Sequence, residues 1–308
     1  MVTRIAYLGP EGTFTEAALR QMADRGMIPR DTAIEPVVAE GAAEALQHVR
    51  DGAADYACVP IENSIDGSIL STLDSLATGA PLQIFAELTL GVAFSIAVRQ
   101  GLSAHDVRTV AAFPVAAAQV RRWLAEHLPA ATVVPANSNA SAAVDVADGR
   151  ADAAVTTSLA ARHYGLAELA VGVVDEPNAA TRFVLAGQPA RPPAPTGADR
   201  TSVVLRLENR PGALVEALTE FGIRDIDLTR IESRPTRTEL GTYVFFLDCV
   251  GHIHDTAVAE ALKALHRRCT DVRFLGSWPT GSVTGAAPPE MDEASRWLQQ
   301  LRDGEAHG

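Results

Sequence analysis

Two stretches of this chain read alike: Asp51-Gly52-Ala53-Ala54-Asp55-Tyr56-Ala57-Cys58 and Asp148-Gly149-Arg150-Ala151-Asp152-Ala153-Ala154-Val155. Each follows an alanine-rich helical pattern and precedes a polar or hydroxyl-bearing loop, Pro60-Ile61-Glu62 in the first and Thr156-Thr157-Ser158 in the second. An Asp-Gly turn between a helix and a buried strand is a βα signature. Alanine-rich composition can produce such a match without descent from one unit. Taken as structure, the repetition predicts two similar α/β lobes over about the first 185 residues of the chain, with a ligand cleft between them.

The flanking segments fit that frame. Residues 4–8 predict a buried strand, after which Gly9-Pro10-Glu11-Gly12-Thr13-Phe14-Thr15 turns the chain into a helix reaching about Gly26. Strands over 33–38 and 56–59 and a helix over 41–50 continue the alternation, and 82–98 is β-like with a break near 88–91. The second run predicts strand 109–113, helix 115–128 carrying Gln119, strand 131–135, helix 141–147 and a last strand over 181–185. A proline-rich linker follows, Gly187-Gln188-Pro189-Ala190-Arg191-Pro192-Pro193-Ala194-Pro195-Thr196-Gly197. Beyond it, strand 202–207, helix 213–221, strands 228–233 and 243–250, helix 256–268 and strand 272–276 give the ferredoxin-like order βαββαβ. The expected division is 1–187, linker 188–200, a compact unit over 201–279 and a tail over 280–308, with a short helix near 292–301 in the tail.

Composition limits what such a chain can bind. It is 47% hydrophobic and 21% charged, as in an ordinary soluble protein, and its net charge of −12 argues against nucleic acid as a partner. Cys58, Cys249 and Cys269 are odd in number and form no Cys-x-x-Cys pair, which predicts free thiols. The eight histidines include no His-Glu-x-x-His, and His252-x-His254 reads as a loop pair, so no metal is expected. Gly-x-Gly-x-x-Gly, Gly-Lys-Ser/Thr and Gly-x-Ser-x-Gly are all absent. Chemistry on a small molecule without a cofactor remains. No apolar run reaches the roughly 18 residues of a membrane span, and Met1-Val2-Thr3-Arg4 leads straight into strand-like Ile5-Ala6-Tyr7-Leu8. A cytoplasmic protein with no membrane partner is expected.

Polar residues gather where strands of an α/β sheet end, which is where ligands bind. Glu62, Asn63, Ser64 and Ser68 follow one strand. Gly12 and Thr13 follow another, where glycine lets backbone N–H groups approach an anion at a helix N-terminus, or where Thr13 or Thr15 simply caps the helix. Asn178-Ala179-Ala180-Thr181-Arg182-Phe183-Val184-Leu185 places a hydroxyl, a guanidinium and an aromatic ring in succession. On a regular strand Thr181 and Phe183 share a face and Arg182 takes the other; a loop leading into the strand would relax this.

In this order the stretches resemble the prephenate dehydratase family, in its form with a C-terminal ACT regulatory domain, from Ile5 to about Trp278. Gly9–Thr15 looks like the family's opening motif and Pro60-Ile61-Glu62-Asn63-Ser64 like its Pro-hydrophobic-Glu-Asn loop. Ala160-Ala161-Arg162-His163-Tyr164-Gly165-Leu166 and Thr181-Arg182-Phe183 are similar to its two late signatures. Gly212-Ala213-Leu214-Val215 and Glu232-Ser233-Arg234-Pro235 look like the two effector motifs. The chain departs from the pattern at Ala112-Phe113-Pro114, where Ser-His-Pro is usual. It departs again at Ser138-Asn139-Ala140-Ser141-Ala142, where Ser-Thr-Ala-x-Ala is usual, so Ser138 carries over better than Asn139. Asn178 stands three residues before the threonine rather than two.

The resemblance implies a two-lobed, periplasmic-binding-protein-like catalytic domain followed by the ferredoxin-like ACT domain, acting on prephenate in L-phenylalanine biosynthesis. Thr181 is then the donor to the ring hydroxyl, Glu62 or water the proton source, and Asn63 and Gln119 positioning residues. Gly12, Thr13, Ser64, Ser138, Arg182 and Phe183 would bind substrate, with Arg182 either pairing with a carboxylate or holding the lobes together. L-phenylalanine would act at Asn209, Gly212, Ala213, Leu214, Val215, Glu232 and Ser233, between two ACT domains, in a homodimer or homotetramer. The alternatives are arogenate dehydratase, whose substrate carries an amino acid in place of the keto acid, and a two-lobed amino-acid sensor without catalysis.

Overall fold

The computed structural model describes residues 2–28, 33–237, 239–281, 285–288 and 292–304. The chain forms two compact units, Met1–Ser75 with Leu88–Ala186, and Leu76–Glu87 with Gly187–Gly308.

The first unit begins β1 (Val2–Leu8), α1 (Phe14–Asp24), β2 (Ala33–Ala39), α2 (Ala42–Arg50), β3 (Tyr56–Asn63), β4 (Gly67–Ser68) and α3 (Leu70–Ala77). It continues through β5 (Gln83–Gly91), β6 (Phe94–Val98), β7 (Thr109–Ala112), α4 (Pro114–Gln119), α5 (Arg121–His127), β8 (Thr132–Pro135) and α6 (Asn139–Ala147). β9 (Ala153–Thr156), α7 (Ser158–His163), β10 (Ala167–Val173) and β11 (Ala180–Gly187) complete it. Two sheets result, ordered β2-β1-β3-β11-β5 with β4 on β3, and β10-β6-β9-β7-β8. The end of α3 and the start of β5 belong to the second unit.

The repetition in the sequence is structural. β1 lies between β2 and β3, and β7 between β8 and β9, all four pairings parallel. The carboxylate of Asp55 accepts the N–H of Arg4 at 2.9 Å, while that of Asp152 accepts the N–H groups of Arg108 and Thr109, each at 2.9 Å. Each aspartate thus ties the start of a central strand to the chain that follows a helix. Gly52 (φ +71°) and Gly149 (φ +77°) occupy left-handed backbone in the turn after α2 and α6, where glycine avoids the Cβ penalty.

Strand alternation in the second lobe sorts two cores. Phe94, Ile96, Val98, Val110 and Val155 share one apolar cluster, whereas Ala97, Ala111 and Ala154 face Ala140, Ala143, Ala160 and Ala161 from α6 and α7. Alanine on both sides lets these helices sit close to the sheet, which gives the alanine-rich composition a packing role.

The helix expected over 115–128 is two helices. Val120, buried and at φ −125°, separates α4 from α5. The loop residue Asp175 accounts for the break: its N–H bonds to Gln119 O at 2.7 Å, and its carboxylate accepts the N–H groups of Arg122 and Trp123, the free donors of the α5 first turn. The break expected near 88–91 falls one step later, since β5 runs through Gly91. β10 has no counterpart in the sequence reading because its alternation is weak.

In the second unit β12 (Asp199–Arg206), α8 (Ala213–Gly222), β13 (Leu228–Pro235), β14 (Tyr243–Val250), α9 (Thr256–Arg268) and β15 (Asp271–Pro279) form an antiparallel sheet ordered β13-β14-β12-β15. Val203, Leu205, Leu247 and Cys249 build its core with Phe221 and Leu265. Polar side chains are buried in pairs: Arg230 with Asp248 at 2.9 Å, and Arg200 with Glu87 at 2.9 Å, where Trp278 Nε1 also donates at 3.0 Å. Such pairs orient strands more than they stabilise them. α10 (Asp292–Arg302) exposes Trp297, Leu298 and Leu301. Of the expected tail, 282–284, 289–291 and 305–308 lie outside the described residues.

Candidate active site

A cavity of about 1110 Å³ opens in the first unit and is lined from both lobes. β1 and β3 end, and β11 begins, at its first wall, bringing Leu8, Asn63, Thr181 and Phe183 to it. α4 and the start of α6 form the second wall with Gln119, Ser138 and Asn139. This is the position that an open α/β sheet assigns to ligands, beyond the carboxyl ends of parallel strands.

Thr181 is 8% exposed and its hydroxyl is oriented from behind. Asn63 Oδ1 accepts the N–H groups of Ile65 and Asp66 at 2.8 and 3.0 Å, closing a turn after β3. Its Nδ2 is therefore the end that reaches Thr181 Oγ1, at 2.9 Å. Because Oγ1 accepts from the amide, the hydroxyl proton remains to be donated into the cavity. Phe183, buried on the same face of β11, supplies an aromatic wall.

Strand alternation sends Arg182 the other way. It is buried and pairs with Glu62 at 2.8 Å, and neither side chain lines the cavity. Arg182, expected as a substrate ligand, and Glu62, expected as a proton source, thus both stand outside the lining: β11 keeps its pleat up to Thr181, and the ion pair ties β11 to β3. Ser64 also lies outside the lining; its Oγ accepts the N–H of Ala180 at 2.9 Å and donates to Asn178 O at 3.2 Å, so it anchors the start of β11. Gly12 is structural as well. Its N–H donates to Glu16 at 2.6 Å, its carbonyl accepts from Thr157 Oγ1 at 2.5 Å, and a Cβ would stand 2.7 Å from that of Ala160. The glycine at φ +88° permits close approach of the lobes rather than of a ligand.

Among the described residues no lysine or arginine lines the cavity; its acidic residues are Glu40, Glu44 and Asp66, and His48 lies among them in the lining. An anionic ligand would rely on the helices that start there, α1 in one lobe and α6 in the other. Thr13 caps α1 by accepting the N–H of Glu16, and Ser138 caps α6 by accepting that of Ser141. The N–H groups of Phe14, Thr15, Asn139 and Ala140 have no partner among the described residues. Paired helix N-termini suit a ligand carrying two negative groups. Buried Gln119 Oε1 and Asn139 Oδ1 are likewise without a hydrogen-bond partner. Sequence reading missed Asn139 and the Glu40–Glu44 pair; position after β2 was the signal for the latter. Among the described residues no group of histidine, cysteine, aspartate or glutamate could hold a metal, and no helix is long and apolar enough to cross a membrane.

In the second unit, Gly212 precedes α8 in left-handed backbone (φ +85°), and Ala213, Leu214 and Val215 form the first turn, with Val215 exposed. Asn209 is exposed beside Arg210, which clasps Glu216 at 2.8 and 2.5 Å and holds that carboxyl below its ordinary range. Glu232 and Ser233 lie on the edge strand β13, opposite Phe246 and Phe245.

A bilobal α/β unit with a polar-tipped cavity, followed in the chain by a ferredoxin-like βαββαβ unit, defines a small-molecule enzyme carrying a regulatory domain. Residues 5–191 match the model of the family described as Prephenate dehydratase, and residues 201–267 match that of the ACT domain. A protein of Mycobacterium sp. (strain JLS) named Prephenate dehydratase is 73% identical over 305 residues, covering 98% of this chain and 96% of its own. The crystal structure of prephenate dehydratase from Arthrobacter aurescens in complex with L-Phe superposes with a TM-score of 0.87 at 40% identity, covering 98% of this chain and all of the other. A structure of GqqA, described as a novel type of quorum quenching acylase, gives 0.79 at 30% identity over 90% of this chain and 98% of its own. The chain belongs to the prephenate dehydratase family.

Proposed function

We propose that this chain converts prephenate to phenylpyruvate under regulation by L-phenylalanine. The ring carboxylate leaves as carbon dioxide, its bonding pair entering the ring, while the ring hydroxyl departs with the carbon–oxygen pair and gains one proton to become water. Aromatisation drives the change, so the protein's task is to orient a dianion and to help the hydroxyl leave. The observation that carries this reading is the Asn63–Thr181 bond, which aims a hydroxyl proton into a cavity flanked by two helix N-termini. Threonine is too weak an acid to lose its proton outright; it hydrogen-bonds the leaving oxygen and relays a proton supplied by water in the cavity. Gln119 positions the hydroxyl, Thr13 and Ser138 present the α1 and α6 N-termini to the two carboxylates, and Phe183 walls the ring.

The first unit is the catalytic domain and the ACT domain holds the effector. Phenylalanine's carboxylate meets the first turn of α8, its ammonium meets Glu232, and Leu214 and Val215 contact its ring, at a site completed by a second copy in a homodimer or homotetramer. The setting is cytoplasmic. The decisive assay mixes purified protein with prephenate, or with arogenate, and follows the product's ultraviolet absorbance with and without L-phenylalanine. Turnover of prephenate that phenylalanine suppresses is expected; turnover of arogenate alone would shift the assignment. A chain ending at Ala194 should keep turnover and lose the suppression.

A further inference from the structure

Between β10 and β11 the chain carries Asp175, which reaches the junction of α4 and α5. In an unbroken α-helix the carbonyl of Gln119 would accept the N–H of Trp123, four residues on. Here Asp175 takes both ends of that bond. Its own N–H donates to Gln119 O at 2.7 Å, and its carboxylate accepts the N–H of Trp123 at 3.3 Å and that of Arg122 at 2.8 Å. The helical pattern resumes one residue later, with Leu124 N–H on Val120 O at 2.9 Å. Val120 stands at φ −125°, far from the helical value of about −63°.

The consequence falls on Gln119. It is the last residue of α4, is 7% exposed, and lines the cavity. Leu124 anchors α5 in the core, whereas α4 offers only the small side chains of Ala116 and Ala117 to the same cluster. Without the carboxylate, the N–H groups of Arg122 and Trp123 lose their acceptor, and the carbonyls of Ala118 and Gln119 are the ones a helix gives them. Closing those bonds returns Val120 to helical backbone, and α4, the less anchored member, turns and takes Gln119 with it. The loop that holds Asp175 runs on into Thr181, and Ser64 fastens its far end through the N–H of Ala180. One loop is thus fixed to a polar group on each wall of the cavity.

We propose that Asp175 is a positioning residue for the dehydration: it ends α4 at Gln119 and so sets that side chain where it orients the hydroxyl that leaves. This rests on reading the cavity as the dehydratase site. In that reading the substrate carboxylates meet the α1 and α6 N-termini, so displacing Gln119 slows the breaking of the carbon–oxygen bond more than it weakens binding.

The test is a double-mutant cycle in steady-state kinetics, on the full chain with prephenate. Asp175→Ala should lower kcat by about 10- to 100-fold, the range for an aligning group displaced by about 1 Å, with a much smaller change in KM. In the Gln119→Ala background, itself slow, the same substitution should lower kcat no further, because the side chain it positions is gone. Asp175→Asn keeps an oxygen that can cap α5 and should retain most of kcat. If the alanine variant does not fold, Asp175→Glu, which keeps the charge but displaces the carboxylate by a methylene, takes its place in the cycle. Wild-type kcat in Thr181→Ala defeats the reading of the cavity. With Thr181→Ala slow, the role of Asp175 alone is overturned by wild-type kcat in Asp175→Ala or in Gln119→Ala, or by an equal fold-loss from Asp175→Ala in both backgrounds. A loss in Asp175→Asn as large as in Asp175→Ala overturns it too.

Discussion

Asn63 Nδ2 donates to Thr181 Oγ1 at 2.9 Å, and the turn behind Asn63 sets the direction of that bond. Two backbone N–H groups hold the amide oxygen, so the NH2 end cannot turn away without leaving both donors unpaired. Thr181→Ala should lower kcat by about 100-fold or more with a much smaller change in KM, as for other removed transition-state donors. Asn63→Asp is the sharper variant. Its carboxylate keeps the turn but accepts the threonine proton, turning the hydroxyl away from substrate, and kcat should fall about as far as in Thr181→Ala. Near-normal turnover in Asn63→Asp would refute this account of the hydroxyl.

Glu62 and Arg182 make the opposite prediction. Arg182 is buried and its partner Glu62 sits at 2.8 Å outside the cavity lining, so removing the guanidinium takes away a tie between β11 and β3. Arg182→Met should lower the melting temperature, with kcat in the surviving folded protein falling far less than in Thr181→Ala. Loss of activity without loss of stability would return Arg182 to the substrate.

Gly212 permits a left-handed turn that a β-branched residue resists by about 1–2 kcal/mol. Gly212→Val should abolish phenylalanine binding in a calorimeter, because the side chain occupies the space in front of the α8 N–H groups, while unregulated turnover persists. Unchanged affinity would move the effector elsewhere.

The three thiols should be silent. Burial pushes Cys58 and Cys249 up to about 12 and Cys269 up to about 11, so at neutral pH none supplies the thiolate that reacts. A chromogenic disulfide reagent should label the native protein very slowly and release all three equivalents on unfolding. Rapid native labelling of one cysteine would show that its site opens.

His252 gives the second unit a pH dependence. It is fully buried, with Nε2–H donating to Pro193 O at 3.0 Å and Nδ1 accepting from His254 N–H at 3.1 Å, and burial lowers its pKa while the carboxylates of Asp199 and Asp255 oppose the shift. Below the ordinary histidine value of about 6.5 the unfolded chain therefore binds a proton that the folded chain refuses, and stability falls as pH falls from there. The stability advantage of wild type over His252→Gln should shrink between about pH 7.5 and about pH 5.5. An advantage independent of pH would show that the ring titrates alike in the folded and unfolded chain, and that burial does not disfavour its charge.

Much of this was legible in the residues. The Asp-Gly repeat carries the two-lobed architecture because each copy does the same job: a helix-ending glycine, then an aspartate that ties down a central strand. Alternation in Thr181-Arg182-Phe183 already suggested separate faces for the hydroxyl and the guanidinium, although the family resemblance placed Arg182 with the substrate. What was hidden depended on partners remote in sequence. The break at Val120 is set by Asp175, and the role of Gly12 by Ala160 and Thr157, neither of which leaves a local signal. Asn139 stood out only once its oxygen was seen to lack a donor, a fact about surroundings rather than sequence.

β11 lies inside the first sheet, between β3 and β5, yet it is made after the entire second lobe. As the chain emerges from a ribosome, the second lobe's strands and helices, from Phe94 to Val173, are complete while the first sheet still lacks an interior strand. The lobe that is translated first is thus the one that finishes last, and Thr181 reaches its position only in that closing step. Chains halted near residue 175 should protect backbone amides in the second lobe and leave those of β1 and β3 open to exchange, an order opposite to the usual N-terminal-first assembly.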